Sequence, residues 1–199
     1  QGRLAPLGPQ LVPALGLDDM PDGAGHRTLR ALGLEVGDIF AVRRADAVDF
    51  THLSASLDAE SAFNLINDLL GRLVPCVHRY GGFIDKFTGD GLIAVFGAPI
   101  ALEDDAEHAL RATIAMRENL QKFNRRWIEK LGHPLDVHIG VNTGMVIAGN
   151  IGNDLHMSYT VMGDTVNVAA RLQDAAKAGQ VFVSRNTYRL TRGAFAFQE

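Results

Sequence analysis

The chain has 199 residues, 47% of them hydrophobic, enough for one globular domain with a full core plus a flanking segment. Its 19 basic and 23 acidic residues leave a net charge of −4, which supplies no electrostatic footprint for nucleic acid or an anionic membrane, so a bound polyanion would need a local site. Cys76 is the only cysteine, which excludes an intrachain disulfide and points to a reducing, cytoplasmic setting, and no apolar run approaches the roughly 18 residues that span a bilayer.

The opening QGRLAPLGPQ has no signal-peptide pattern and residue 1 is not Met, so the chain is expected to be a piece of a longer protein with regulatory domains, or a membrane tether, elsewhere. Residues 1–36 hold four of the seven prolines (Pro6, Pro9, Pro13 and Pro21) and a Pro-Asp-Gly-Ala-Gly run, the composition of an irregular lead-in or linker, with a short helix over Arg27–Leu34. From residue 37 to 199 the pattern is that of one domain. Ile39–Val42 starts a strand that Arg43-Arg44 interrupts, leading into Ala45–Thr51. Ser56 or Asp58 is placed to cap a long helix whose apolar residues Phe63, Ile66, Leu69, Leu70, Leu73 and Val77 recur at helical spacing, ending at Tyr80-Gly81-Gly82.

Phe83–Phe87 and Leu92–Phe96 flank Thr88-Gly89-Asp90-Gly91, a hairpin with Lys86 near the end of its first strand and Asp90 at its tip. Ala98-Pro99 breaks the chain before a second long helix, Glu103–Leu131, with Ala106, Ala109, Leu110, Thr113, Ile114, Met116 and Leu120 on its inner face and Gly132-His133-Pro134 as its stop. Leu135–Val141 reads as a strand, Asn142-Thr143-Gly144 as a turn and Met145–Ala148 as another strand, with Gly149 and Gly152 suited to tight turns or close backbone approach. Met157–Met162 continues the sheet. Gly163-Asp164-Thr165 introduces a helix over Val166–Lys177 that Gly179 closes, and Val181–Val183 and Asn186–Leu190 read as a last strand and a last helical turn or two. The class this spells is α+β, an antiparallel-rich sheet covered by helices.

Asp46 leaves a strand for a loop and Asp90 sits on a hairpin tip, so neighbouring strands can bring two carboxylates together. Such a pair suits hard divalent cations, Mg²⁺ in particular, and the two-metal chemistry of phosphoryl transfer. The loop after Asp46 enters a helix N-terminus, where backbone N–H groups can face a phosphate. Asn167 and Arg171 lie four apart on one helix face, an amide and a guanidinium suited to a ribose or phosphate and to charge building in a transition state. Each residue alone also fits an ordinary role: a turn or cap aspartate, a surface lysine at Lys86, a β-favouring threonine at Thr160, a solvated helix face.

Taken in order, KFTGDGLIAVFG at Lys86–Gly97, YTVMGDTVNVAARL at Tyr159–Leu172 and the ADxxxFT of Ala45–Thr51 resemble the catalytic domain of class III nucleotide cyclases, over about residues 38 to 199. The resemblance implies a ferredoxin-like α+β fold and a head-to-tail homodimer with composite sites, in which the metal aspartates of one subunit face the purine, Asn and Arg positions of the other. It implies that Asp46 and Asp90 hold two divalent cations, Mg²⁺ or Mn²⁺. Lys86 and Thr160 match the purine-reading pair of adenylyl cyclases in which threonine replaces the more usual aspartate, where guanylyl cyclases have Glu and Cys. Asn167 matches the residue that orients the ribose, Arg171 the one that stabilises the transition state, and Phe50 and Thr51 fall in the substrate loop. The implied reaction is ATP to cyclic AMP and pyrophosphate, and bicarbonate is a candidate effector because Lys-Thr cyclases include bicarbonate-responsive members. The chain departs from the pattern with Asp49 where Gly is usual, with Arg43-Arg44 in a strand that is normally apolar, and in stopping at Glu199 before the family's phosphate-binding lysine, which implies truncation at the C-terminus. Two readings follow: an ATP-cyclising homodimer, and a cyclase-like module that dimerises or binds nucleotide without turnover. A palm-type diguanylate cyclase or polymerase shares the two-metal logic but accommodates the Asn167/Arg171 helix poorly.

Overall fold

The computed structural model describes residues 5–6, 34–47, 57–98, 101–153 and 156–198, with 5–6, 34–47, 152–153 and 156–157 described by backbone alone. The chain order is β1 (Ala5–Pro6), β2 (Leu34–Ala47), α1 (Ala59–Arg79), β3 (Phe83–Phe87), β4 (Leu92–Phe96), α2 (Asp105–Leu131), β5 (Val137–Asn153), β6 (His156–Met162), α3 (Asp164–Ala175), β7 (Val181–Val183) and α4 (Arg185–Thr191). Among the described residues the strands form one sheet in the order β1-β7-β5-β2-β4-β3, with β6 paired to β5 from Ile147 to Asn153, a stretch whose first three residues also pair with β2. Only β1–β7 and β5–β7 run parallel, so the α+β, antiparallel-rich expectation holds.

The helices begin and end where local chemistry says they should. Asp58 caps α1, its carboxylate accepting the Ser61 N–H at 2.8 Å, which satisfies one of the four amides a helix start leaves unpaired. Gly132 ends α2 in the left-handed conformation, its N–H donating to the Ile128 carbonyl. On α1 the buried residues are Leu65, Leu69, Leu73, Cys76 and Val77, while Phe63, expected on the inner face, is 69% exposed. The helix is rotated so that Leu65, two positions on, takes the buried place.

The sheet is covered on both faces, and β4 records this directly. All five of its residues are buried: Leu92, Ala94 and Phe96 join the cluster made with α1 and α2, and Ile93 and Val95 join the cluster with Ala169 of α3 and Val161 of β6. Period-2 alternation thus sends β4 into two cores at once. Each large apolar side chain so enclosed contributes about 1.5–3 kcal/mol.

Two expectations about the strands are corrected. Arg43-Arg44 do not interrupt β2, which continues through them, Arg43 pairing with Ala94 and Val141 and Arg44 with Ile93 and Gly140. With neighbours on both sides, the backbone ladder carries the arginines along. Asn142-Thr143-Gly144 is not a turn but the middle of the 17-residue β5. Ile39 pairs with Gly144 and Val42 with Asn142, so two residues of β2 oppose one of β5 in a bulge that absorbs the irregularity without ending either strand. The helix expected at Arg27–Leu34 lies outside the described residues except for Leu34, which begins β2, and two residues of the proline-rich lead-in, Ala5–Pro6, pair with β7. Among the described residues no helix is long and apolar enough to cross a membrane.

Candidate active site

The β3–β4 hairpin closes through the Thr88 N–H donating to the Gly91 carbonyl at 2.9 Å, with Gly89 at φ +79°, a conformation that favours glycine. Asp90 sits in this turn, partly buried. Ala45 of β2 pairs with Leu92, the first residue of β4, so Asp46 falls one residue beyond that pair, at the mouth of the turn that carries Asp90. The register therefore brings the backbones of both candidate metal aspartates to one end of adjacent strands. A pair of aspartates is a donor set that suits Mg²⁺ or Mn²⁺, hard ions that take one or two protein carboxylates and fill the remaining positions with phosphate and water. Asp49, Phe50 and Thr51 lie outside the described residues.

A bulge shapes the hairpin's first strand. Ile84 pairs with Ala94 and Lys86 with Ile93, so Asp85 is the extra residue. In register Lys86 shares a face with Ile93, the α3 side of the sheet, and alternation from Phe83, which pairs with Val95, puts Asp85 on that side as well. Two consecutive side chains are thereby turned to the same face. Lys86 Nζ donates to Thr160 Oγ1 at 3.3 Å, joining residues 74 apart in sequence. It also lies 3.1 Å from Asp85 Oδ2, and Asp85 Oδ1 accepts the Val161 N–H at 3.3 Å. Asp85 is a site residue that the sequence reading missed; the signal was an acidic residue inside the apolar strand FIDKF, directly before the lysine.

The remaining pair rides on α3. Thr165, Val168, Ala169, Leu172 and Gln173 are buried, whereas Asn167 and Arg171, four apart, are exposed on the opposite side. The buried side is seated on β5 with little between them. A Cβ on Gly140 would fall 2.1 Å from the Ala169 carbonyl and 2.5 Å from the Gln173 amide, so the helix backbone rests directly on the strand. At the start of α3, Asn142 Nδ2 donates to the Thr165 carbonyl at 2.9 Å and Thr165 Oγ1 donates to the Met145 carbonyl at 2.6 Å. Gly144 leaves room for that hydroxyl, since a Cβ there would meet Thr165 Oγ1 at 2.7 Å. Thr143, the middle residue of the expected turn, meets Thr187 of α4 hydroxyl to hydroxyl at 2.8 Å. The Asn-Thr-Gly stretch therefore docks helices instead of turning the chain.

Within the chain these groups form two constellations: Asp46 and Asp90 at the hairpin mouth, and Lys86 with Thr160 across β3 and β6. Asn167 and Arg171 on α3 face outward beside them. Carboxylates suit cations, a lysine-threonine pair can donate and accept toward a base, and an amide and a guanidinium suit a sugar and a phosphoryl group, a set chemically compatible with a nucleoside triphosphate.

Comparison with known proteins agrees. The family described as adenylate and guanylate cyclase catalytic domain matches residues 36–199. Adenylate cyclase 1 of Rhizobium meliloti (strain 1021) is 33% identical over 132 residues, 66% of this chain and 20% of that protein. Curated relatives that it matches are much longer, the chain spanning between a fifth and about a quarter of their length. Among solved structures, the adenylyl cyclase CyaB from P. aeruginosa is 35% identical with a TM-score of 0.77, over 81% of this chain and 83% of that one. The guanylyl cyclase Cya2 is 34% identical with a TM-score of 0.75, over 79% and 80%. The α+β sheet with its helices on both faces is the class III cyclase fold, and the chain belongs to the adenylate and guanylate cyclase catalytic domain family.

Proposed function

We propose that the chain is an adenylyl cyclase catalytic domain, converting ATP to 3′,5′-cyclic AMP and pyrophosphate at composite sites between two copies of itself. The observation that carries the choice of ATP is the Lys86–Thr160 contact at 3.3 Å. An ammonium has only donors, so it suits N1 of adenine, an acceptor, and opposes N1 of guanine, which carries a proton. The Thr160 hydroxyl accepts from Lys86 and keeps a proton to donate.

In the reaction the ribose 3′-oxygen bonds to the α-phosphorus as the bond from that phosphorus to the pyrophosphate oxygen breaks, and the hydroxyl proton is released. Asn167 orients the ribose. Arg171 presents a planar fork of donors to the oxygens on which charge accumulates, an interaction that strengthens toward the transition state. Phe50 and Thr51 contact the substrate. Two divalent cations, Mg²⁺ or Mn²⁺, held by Asp46 and Asp90, supply acidification of the 3′-hydroxyl and neutralisation of the leaving pyrophosphate. The outward exposure of Asn167 and Arg171 supports a site completed by a second copy, as does the placement of Lys86 and Asp90, close in sequence but serving different constellations.

The test is production of cyclic AMP and cyclic GMP from ATP and GTP with Mg²⁺ or Mn²⁺, with and without bicarbonate. Cyclic AMP is expected, and Asp90→Ala should lower its rate at least about 100-fold. No product from either nucleotide, with nucleotide binding intact, favours the non-turnover module, and Asp49→Gly then tests whether the substrate loop is responsible. For the composite site, Asp46→Ala and Arg171→Ala should each be inactive. Their equal mixture should recover about a quarter of the wild-type rate, since half the dimers are mixed and each carries one intact site of two. No recovery in confirmed mixed dimers overturns sites shared between copies.

A further inference from the structure

Asp85 has no part in the chemistry above, yet its surroundings are the most demanding in the hairpin. It stands in β3, at the end of the sheet path, with a side chain that is 0% exposed. A carboxylate withdrawn from water needs partners. Oδ1 has the Val161 N–H, while Oδ2 makes no directed hydrogen bond and is compensated by the charge of Lys86 at 3.1 Å. Lys86 in turn donates to Thr160, the residue before Val161. One carboxylate therefore holds the lysine directly and the threonine through the backbone of β6.

We propose that Asp85 is a positioning residue for base recognition, fixing the Lys86 ammonium beside Thr160 and committing the hairpin to a cationic reader. This rests on reading Lys86 and Thr160 as the base-reading pair. A free lysine is a point charge on a flexible four-carbon stem. Held by the Asp85 charge and donating to Thr160, it is fixed in place with donors left for a ring acceptor. The same carboxylate excludes an acidic reader, because a glutamate at position 86 would stand against a buried anion with no cation between them. Recoding the hairpin for guanine thus requires a change at Asp85 as well as at Lys86 and Thr160.

Asp85→Asn keeps an oxygen for the Val161 N–H and removes the charge that restrains Lys86. Binding of 3′-deoxy-ATP and 3′-deoxy-GTP, which lack the attacking hydroxyl, is measured by calorimetric titration alongside kcat and KM for cyclisation, in the wild type, Asp85→Asn, Lys86→Met and the double variant. Asp85→Asn should weaken the adenine analogue about tenfold, leave the guanine analogue within about twofold, and raise KM more than it lowers kcat. The double variant should be no worse than Lys86→Met alone, since Asp85 acts through the lysine. Because the readout is a ratio of affinities, a smaller folded fraction does not alter it. If Lys86→Met changes the adenine-to-guanine ratio and Asp85→Asn does not, the role of Asp85 is overturned and base reading stands; if Lys86→Met leaves the ratio unchanged, both fall. Additive losses in the double variant overturn action through Lys86. Finally, Lys86→Glu with Thr160→Cys should acquire affinity for the guanine analogue only when Asp85→Asn accompanies them, and an equal gain without it overturns the exclusion.

Discussion

Two stretches of this chain carry the same local signal and meet opposite fates. Thr88-Gly89-Asp90-Gly91 turns the chain, and Asn142-Thr143-Gly144 runs straight through the middle of a strand. In the first, the glycine is needed for its backbone angle, φ +79°, with nothing within 4 Å of where a Cβ would stand. In the second, glycine is needed for its missing Cβ, which makes room for the Thr165 hydroxyl. The turn carries Asp90 to the mouth of the hairpin, whereas the strand spends Asn142 and Thr143 on holding α3 and α4. Polar and glycine residues thus signal a departure from ordinary packing, and the neighbouring strands decide whether that departure is a turn or a dock.

The contrast can be broken by substitution. Gly140→Ala, on the docking strand, should have the largest effect: its new methyl would meet backbone atoms at 2.1 and 2.5 Å. Neither atom can yield without moving α3, so a stability loss of about 3 kcal/mol is expected in denaturant unfolding, with cyclisation lost in parallel. Asp90→Ala, in the turn, should separate the two readouts, abolishing activity while thermal unfolding stays close to wild type; a comparable loss of stability would mean the turn is structural too. Asn142→Ala should affect both, removing the bond to the buried Thr165 carbonyl at a cost of about 1–3 kcal/mol and lowering activity through the looser α3. Gly89→Ala should be mildest, about 1 kcal/mol from the left-handed backbone alone, with activity measured below the unfolding range nearly unchanged.

Much of the fold was legible because its elements announce themselves locally. The Asp58 cap, the Gly132 stop, the β3–β4 hairpin and Val181–Val183 lie where spacing and turn chemistry place them. What escaped the sequence depends on partners far along the chain. β2 runs through Arg43-Arg44 because β4 and β5 flank it, and β5 runs through Asn142–Gly144 because β2 absorbs the mismatch in its own bulge. Phe63 was misplaced because α1 offers two apolar arcs and periodicity does not say which one meets the sheet. At the site, the meeting of Lys86 with Thr160 was expected from a family pattern, and the structure brings the pair together. Asp85 was missed because a single bulge, invisible in residue type, turns it to the same face as the lysine.

The contact between Gly140 and α3 has a mechanical consequence. Most helices rest on sheets through a layer of side chains, and that layer acts as a cushion whose rotamers absorb small displacements. Here the cushion is missing at one point, where strand backbone bears on helix backbone. A push on β5 reaches α3 undamped, so Asn167 and Arg171 move with the strand as one stiff part. In the proposed two-copy enzyme, such stiffness would turn a slight tilt of one sheet into a change of register at the shared site.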